Sequence, residues 1–507
     1  MNAVTVRNLF LLGALGVAAS ASQAGNFRYA EDRAPGIVNP VFATTMSEAR
    51  LNELVFEGLY TDSTELASEP LLAESATLAP TKKAMRIRLR DGVKWHDGTP
   101  FSAEDVVFTI QAMQDQATGS PEAGRVAWIE SARAIDKSTL ELTFVGQEYA
   151  PEDKLHFKIM PRHRFTDTAL KRTDPFRNRP IGTGPWSVVG FNDDNSISLQ
   201  RYREYWGEAA IDEMTMREVA DKNFQSKLLL YESLEGLIRV LPRDLAMLQN
   251  DRKVELYPYQ TNSWWYVGFN NRAGTFQDPK VREALSLMVD VPALLAPIGT
   301  GDPVSGPFVP SSPFYNHDVT PMSPDAAKAK ALLTEAGFTH DGRTWSKDGR
   351  PLTLRLSTLK NLETAQDVVI NLQTQLQNQG VQVNTEFLTR PEWKQRVWGE
   401  SDYDLILSTW SFDRNEDIYE QFHSGGARNF VGYVNEDVDA LLDKAREVAD
   451  PQEKKLILRE VHAKIAADHP MIFLWTLDSY AAMSTKVKNV VVHPFYFFTF
   501  ARSWTIR

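Results

Sequence analysis

Apolar and charged side chains alternate strictly along Met85-Arg86-Ile87-Arg88-Leu89-Arg90, the pattern of a strand with one buried and one wet face. Ile197-Ser198-Leu199-Gln200 repeats it, as do residues 352–356 and Val381-Gln382-Val383. Tyr403-Asp404-Leu405-Ile406-Leu407-Ser408 reads as a shorter, more buried strand. Between such runs the apolar period lengthens to that of a helix. Ser102 can cap a helix whose first turn holds Asp105 and whose inner stripe is Val106, Val107, Ile110 and Met113. Asp278-Pro279 starts a second helix, with Val281, Ala284, Leu285 and Met288 inward. Ser323-Pro324 starts a third, with Ala327, Ala331 and Leu332 inward and Gly337 as its stop. Asn435 opens a fourth (Val438, Leu441, Leu442, Ala445). Asp450-Pro451 opens a fifth (Leu456, Leu458, Val461, Ile465), ended by His469-Pro470.

In the second half the strands at 352–356, 381–383 and 403–408 alternate with helices, one of them around 368–376. That order predicts an open α/β sheet, which places ligands in the crevice at the carboxyl ends of its strands. The loop after Leu407, with Trp410 and Asp413, is expected at such an end. Trp264-Trp265-Tyr266 is also strand-like, and three adjacent rings on a strand cannot share a face. One face is expected in the core, and Trp265 is a candidate for the wall of a cleft.

The N-terminus has the form of a secretory leader. Arg7 precedes an apolar run over residues 9–19, and Ser22-Gln23-Ala24 gives a small-x-small cleavage pattern. The run is too short to span a bilayer, so residues 1–24 are expected to be removed and the mature chain to be soluble and extracytoplasmic. The 507 residues allow two to four domains. With 43% hydrophobic residues and a formal charge of −11, the chain can build large cores, and it lacks the basic field that nucleic acids and anionic membranes attract. It has no cysteine, so thiol catalysis, disulfides, cysteine-held metals and an N-terminal thiol for lipidation are all excluded.

Signatures of catalysis are missing. There is no Gly-x-Ser-x-Gly elbow, His-Glu-x-x-His pair or phosphate loop. Gly182-Thr183-Gly184 runs into Pro185-Trp186 where a dinucleotide loop would open a helix, so it reads as a tight turn. His96 lies in the turn Trp95-His96-Asp97-Gly98-Thr99, where bonding to the backbone is its expected role. His462 and His469 are two helical turns apart, too far for one metal ion. No cofactor and no metal are expected.

Several segments in order resemble the family 5 extracellular solute-binding proteins of ABC transporters, the class of dipeptide-, oligopeptide- and nickel-binding proteins. The longest is Leu89-Arg90-Asp91-Gly92-Val93-Lys94-Trp95-His96-Asp97-Gly98-Thr99-Pro100-Phe101-Ser102-Ala103-Glu104-Asp105-Val106-Val107-Phe108. Ile181-Gly182-Thr183-Gly184-Pro185-Trp186 with Tyr205-Trp206-Gly207 is a second. Val267-Gly268-Phe269-Asn270 with Val281-Arg282-Glu283-Ala284-Leu285-Ser286 is a third. Ala329-Lys330-Ala331-Leu332-Leu333 with Ala336-Gly337-Phe338 is a fourth, and Asn429, Gly432-Tyr433, Asn435, Val438-Asp439 and Leu441-Leu442 form a fifth.

The resemblance implies an α/β, two-lobed periplasmic-binding-protein fold of cluster C type. Lobe I would comprise 25–58, 176–268 and 479–507, with an extra subdomain inserted over 59–175, and lobe II would be 269–478. The chain would cross near 267–270 and 477–480, and ligand would favour a closed state about that hinge. It further implies a monomer without catalytic residues that hands a short peptide to an inner-membrane ABC permease. Trp410-Ser411-Phe412-Asp413 matches the family's Trp-x-x-Asp segment, which assigns Asp413 to the ligand's ammonium and Trp410, Ser411 and Phe412 to backbone or wall contacts. A carboxylate is the partner an ammonium requires once it leaves water. Where peptide-binding members continue with an aromatic residue and Asp-Pro, this chain has Arg414-Asn415-Glu416-Asp417-Ile418. Arg414 is read either as a partner for a ligand carboxylate or as a solvated surface arginine. The departure leaves a non-peptide solute, such as a metal chelate, opine or glycoside, as the alternative ligand. Phe42, Glu31 and Asp32 are carried over by analogy as residues reaching the cleft. An exported hydrolase is the competing class, distinguished by turnover of a peptide.

Overall fold

The computed structural model describes residues 25–260, 263–362, 364–412, 416–448 and 450–507. Two mixed sheets organise it. The larger has seven strands in the order Val254–Gln260, Asp478–Ser484, Gly236–Leu237, Asn26–Glu31, Glu213–Glu218, Ile197–Arg201, Trp186–Phe191. The smaller has five, Gln382–Leu388, Thr353–Leu359, Leu405–Ser411, Ser263–Phe269, Met471–Phe473. The predicted β-α-β-α-β run is the parallel part of the smaller sheet, Thr353–Leu359 pairing with both neighbours in parallel. A four-stranded antiparallel sheet, Ala73–Leu78, Ala84–Leu89, Thr139–Phe144 and Ile129–Ala134, packs with helix Ala103–Gln114. Its buried residues join one continuous core with those of the seven-stranded sheet.

Local signals place the helices. Ser102 and Asp105 form a reciprocal cap on Ala103–Gln114. Asp278, Asn435 and Asp450 accept from the first free N–H groups of Pro279–Leu287, Glu436–Glu447 and Pro451–Asp468, which have no partner inside a helix. Two expected faces are corrected. The third helix is capped by Asp325 and runs Ala326–Glu335, with Ala329 and Leu333 inward, while Ala327 and Ala331 are exposed. Packing against Pro279–Leu287 selects that stripe. In the fifth helix Ile457, Leu458, Val461 and Ile465 are buried, but Leu456 points outward.

The chain changes sheets between Gln260 and Ser263, not at the expected border near 268, because the whole of Ser263–Phe269 is paired with Leu405–Ser411. It returns between Thr476, which pairs with Asp302, and Asp478, which pairs with Gln260. Strand alternation sorts the three aromatics. Trp264 and Tyr266 enter one core of the second sheet, and Trp265 enters the other.

The glycine landmarks also serve the larger lobe. A Cβ on Gly182 would lie 1.7 Å from the Val55 carbonyl oxygen, and one on Gly184 would lie 2.7 Å from that of Leu54. Only glycine permits this close approach. His96 joins the same turn: its Nδ1 accepts from Gly182 N–H (3.1 Å) and its Nε2 meets the Gly184 oxygen at 2.8 Å. Burial lowers the imidazole pKa to about 4, so the ring is neutral. Tyr205 and Trp206 donate to the buried Glu57 carboxylate at 2.8 and 3.1 Å.

Candidate functional site

Strand direction locates the site. In the five-stranded sheet the three parallel strands end at Leu359, Leu388 and Ser411. Leu405–Ser411 runs antiparallel to Ser263–Phe269, so Ser411 lies opposite Ser263, the first residue after the crossing. In the seven-stranded sheet Asn26–Glu31 is parallel to both Glu213–Glu218 and Gly236–Leu237. Gly236–Leu237 and Val254–Gln260 are both antiparallel to Asp478–Ser484. Their carboxyl ends therefore point the same way as Gln260, toward the crossings. Both sheets thus present strand ends to the two crossing segments, the position at which open α/β sheets commonly place a ligand crevice.

The second sheet contributes Trp410 and Ser411. Both belong to the strand rather than to a loop beginning after Leu407, because pairing with Ser263–Phe269 continues to the last residue. Ser411 is exposed and Trp410 half-buried. With the Gln421 side-chain amide oriented so that its nitrogen donates to the Ile418 oxygen at 3.0 Å, its oxygen accepts from the Trp410 indole N–H at 3.1 Å. Phe412 is buried, its ring 6.4 Å from Phe308 and 6.5 Å from Trp264. Beyond it, Glu416 is buried, has a left-handed φ of 48° and accepts from the Ser312 hydroxyl. Asp413 and Arg414 lie outside the described residues.

The first sheet contributes the segment after Glu31. Glu31 is buried, and its carboxylate takes both Nε and Nη2 of Arg50, at 2.7 and 2.6 Å. Burial raises the Glu31 pKa, and the Arg50 bond pulls it back. Asp32 is exposed, 3.2 Å from Lys222 Nζ. Phe42 and Trp265 are packed in cores. The Phe42 ring lies under the Arg172 guanidinium at 5.6 Å, and Trp265 stacks on Trp475 at 6.1 Å. The structure therefore places Trp410 and Ser411 at the end of a strand of the second sheet and Glu31 and Asp32 at the end of a strand of the first, and it holds Phe42, Phe412 and Trp265 in the supporting packing.

Three rim residues escaped the sequence reading. Arg33 and Arg239 are exposed just past Asn26–Glu31 and Gly236–Leu237. Tyr259 lies one residue before the crossing, and its hydroxyl donates to the Ile238 oxygen at 3.0 Å. The signal that would have found Arg239 is a strand of only two residues, too short to show alternation. Near the second crossing the Asp478 carboxyl is pushed above its ordinary pKa by burial and by Asp302, against a bond from the Gly301 N–H. A cavity of about 680 Å³ lies between Pro242, Leu245, Leu256 and Tyr480 on one side and residues 298–300 on the other. None of the expected site residues lines it. Among the described residues no group of three or more His, Asp or Glu is arranged to hold a metal ion, and no helix is long and apolar enough to cross a membrane.

Residues 67–429 match the family described as "Bacterial extracellular solute-binding proteins, family 5 Middle". The chain belongs to that family: it is a two-lobed α/β binding protein of ABC transport and not an enzyme. It is 24% identical over 486 residues to the oligopeptide-binding protein AppA of Bacillus subtilis (strain 168), covering 91% of this chain and 88% of AppA. It is 26% identical over 469 residues to the glutathione-binding protein GsiB of Escherichia coli (strain K12), covering 89% and 88%. Among solved structures, NikA from Brucella suis in complex with Fe(III)-EDTA superposes with a TM-score of 0.85 at 19% identity, over 95% of this chain and all of that one.

Proposed function

We propose that this protein captures short peptides in the periplasm by closing its lobes about the two crossings, and delivers them to an inner-membrane ABC permease as a freely diffusing monomer. With the borders at the observed changes of sheet instead of the expected 268 and 478, the lobes in this reading are 25–58, 176–260 and 478–507, with a subdomain over 59–175, against 263–476. The observation that carries it is the strand Leu405–Ser411, whose carboxyl end opens beside the crossing and leads directly into the Trp-x-x-Asp aspartate. Asp413 takes the peptide's ammonium. Trp410 and Ser411 supply wall and backbone contacts, and Phe412 supports them from the core side. Arg414 remains a candidate partner for a ligand carboxylate. The names of AppA and GsiB, both peptide binders, support the ligand class. Backbone pairing would give affinity without reading side chains, leaving selectivity to the pockets.

Removing Asp413 leaves an ammonium buried without its partner, so Asp413→Ala weakens binding of free-amine peptides by more than about tenfold. Equal affinity of variant and parent in calorimetry contradicts the assignment. Native mass spectrometry of the purified protein tests the class. A ladder of peptide masses supports it, and a single non-peptide mass favours the chelate-type reading that the NikA likeness keeps open. N-terminal sequencing of exported protein, expected to begin at Gly25, tests the leader.

A further inference from the structure

A second cavity, of about 480 Å³, opens on lobe I, lined by Arg201, Tyr202, Arg203, Tyr205, Glu208 and Arg502 among others. Strand direction fixes its place. Ile197–Arg201 is antiparallel to Glu213–Glu218, with Gln200 opposite Glu213. The carboxyl end of Glu213–Glu218 points toward the crossings, so Arg201 lies at the opposite end of the sheet, away from the crevice. In a chain of formal charge −11, three arginines share this one concave wall with a single carboxylate, Glu208. Their engagement differs. Arg201 Nη2 is 2.6 Å from the Asp212 carboxylate. Burial and Glu57 raise the pKa of the Tyr205 phenol, and Arg502 works against them, so Arg502 lies within reach of that ring. The phenol itself donates to Glu57 at 2.8 Å. Arg203 is exposed and has no ionic partner among the described residues. The acid beside it in sequence, Glu204, is turned to Lys94 at 2.7 Å. Even with Asp212 set against Arg201, two guanidinium groups face one carboxylate. Like charges held together repel, and a concave wall focuses their field on whatever enters.

We propose that this cavity binds the phosphate group of a small phosphate monoester, with Arg203 and Arg502 as its cations and the Tyr202 and Tyr205 rings beside the esterified part. A carboxylate offers two oxygens and one charge. A phosphate monoester offers three terminal oxygens and close to two charges, which suits guanidinium forks arriving from two separate chain segments. The cavity is larger than a bare phosphate needs and leaves room for an organic body. The site stands apart from the crevice and does not rest on the peptide reading above.

Calorimetry of the full chain with glycerol 3-phosphate, at an ionic strength fixed with sodium chloride, tests the proposal. The parent is expected to bind the ester, and Arg203→Gln to weaken that binding about tenfold. Arg203 is exposed and unpaired, so the substitution spares the fold, and peptide affinity is expected to be unchanged. Soluble esters and lipid headgroups share this chemistry, and sedimentation with vesicles containing phosphatidic acid separates them. Sedimentation that Arg203→Gln abolishes assigns a lipid source. Absence of sedimentation, with the soluble ester still bound, assigns a soluble one. A parent that binds neither ester nor vesicle, or binding that Arg203→Gln leaves within about twofold, overturns the proposal. So does a loss of peptide affinity in Arg203→Gln that equals its loss of ester affinity, because the anion would then be held in the crevice.

Discussion

Each lobe carries a tryptophan landmark beside an acid, and the two do different work. In lobe I, Tyr205 and Trp206 enclose Glu57, which is buried and accepts from both rings. In lobe II, Trp410 is half-buried near the end of its strand, and Ser411, the last residue of that strand, is exposed. The first acid is closed inside the protein with its donors already in place. The second follows an open strand end. A sequence landmark therefore identifies a family without identifying its ligand site. Glu57 is thus a structural acid, satisfied by the fold itself.

The sharpest test of the closed side is Gly182→Ala. Its Cβ cannot coexist with the Val55 carbonyl, so the variant is expected to lose about 4 kcal/mol or fail to fold. Urea unfolding measures it, and a loss below about 1 kcal/mol would show that the turn can move away. Glu57→Ala comes next, at about 3 kcal/mol, because it strands the buried donors of Tyr205 and Trp206. Glu57→Gln, which keeps an acceptor, should lose less.

At pH 5 the buried His462 costs the folded protein about 2 kcal/mol. His462 in lobe II is buried beside Ser305, and burial, with a smaller push from His317, lowers its pKa to about 4. The unfolded chain then takes up the proton first, and stability is lost as pH falls from about 6.5 toward 4. His96 in lobe I has the same sign. Glu53 in lobe I has the opposite one. Burial raises it to about 7, against Lys158 and the Phe498 N–H, so its stabilisation is full below the unfolded carboxyl value and is lost as pH rises through about 7. His96 and Glu53 roughly cancel in lobe I, whereas in lobe II His469, also lowered by burial, acts with the same sign as His462. The thermal midpoint between pH 7 and 5 should flatten in His462→Asn and steepen in Glu53→Gln. An unchanged slope in both would refute the assignment. With Asp413 serving the ligand as proposed, Asp413→Ala should have the smallest effect on stability: its tenfold or greater loss of affinity should come with an unchanged thermal midpoint.

Much of the architecture is legible in the chain because its causes are local. Caps at Ser102, Asp278, Asn435 and Asp450 act within one helical turn, and alternation at 85–90 reports a face that water and core divide between them. The glycine landmarks have a non-local cause: Gly182 and Gly184 lie against the backbone of residues 54–55, far earlier in the chain, where a Cβ has no room. Pairing across the molecule is another matter. Gly236–Leu237 is a strand only because Asn26–Glu31 and Asp478–Ser484 flank it, and that pairing brings Arg239 to the rim. The division of Trp264 from Trp265, the outward turn of Leu456 and the change of sheet at Gln260 were likewise decided by partners distant in sequence. A residue's own neighbours settle its helix or strand, but which crevice it faces depends on contacts that exist only after the chain has folded.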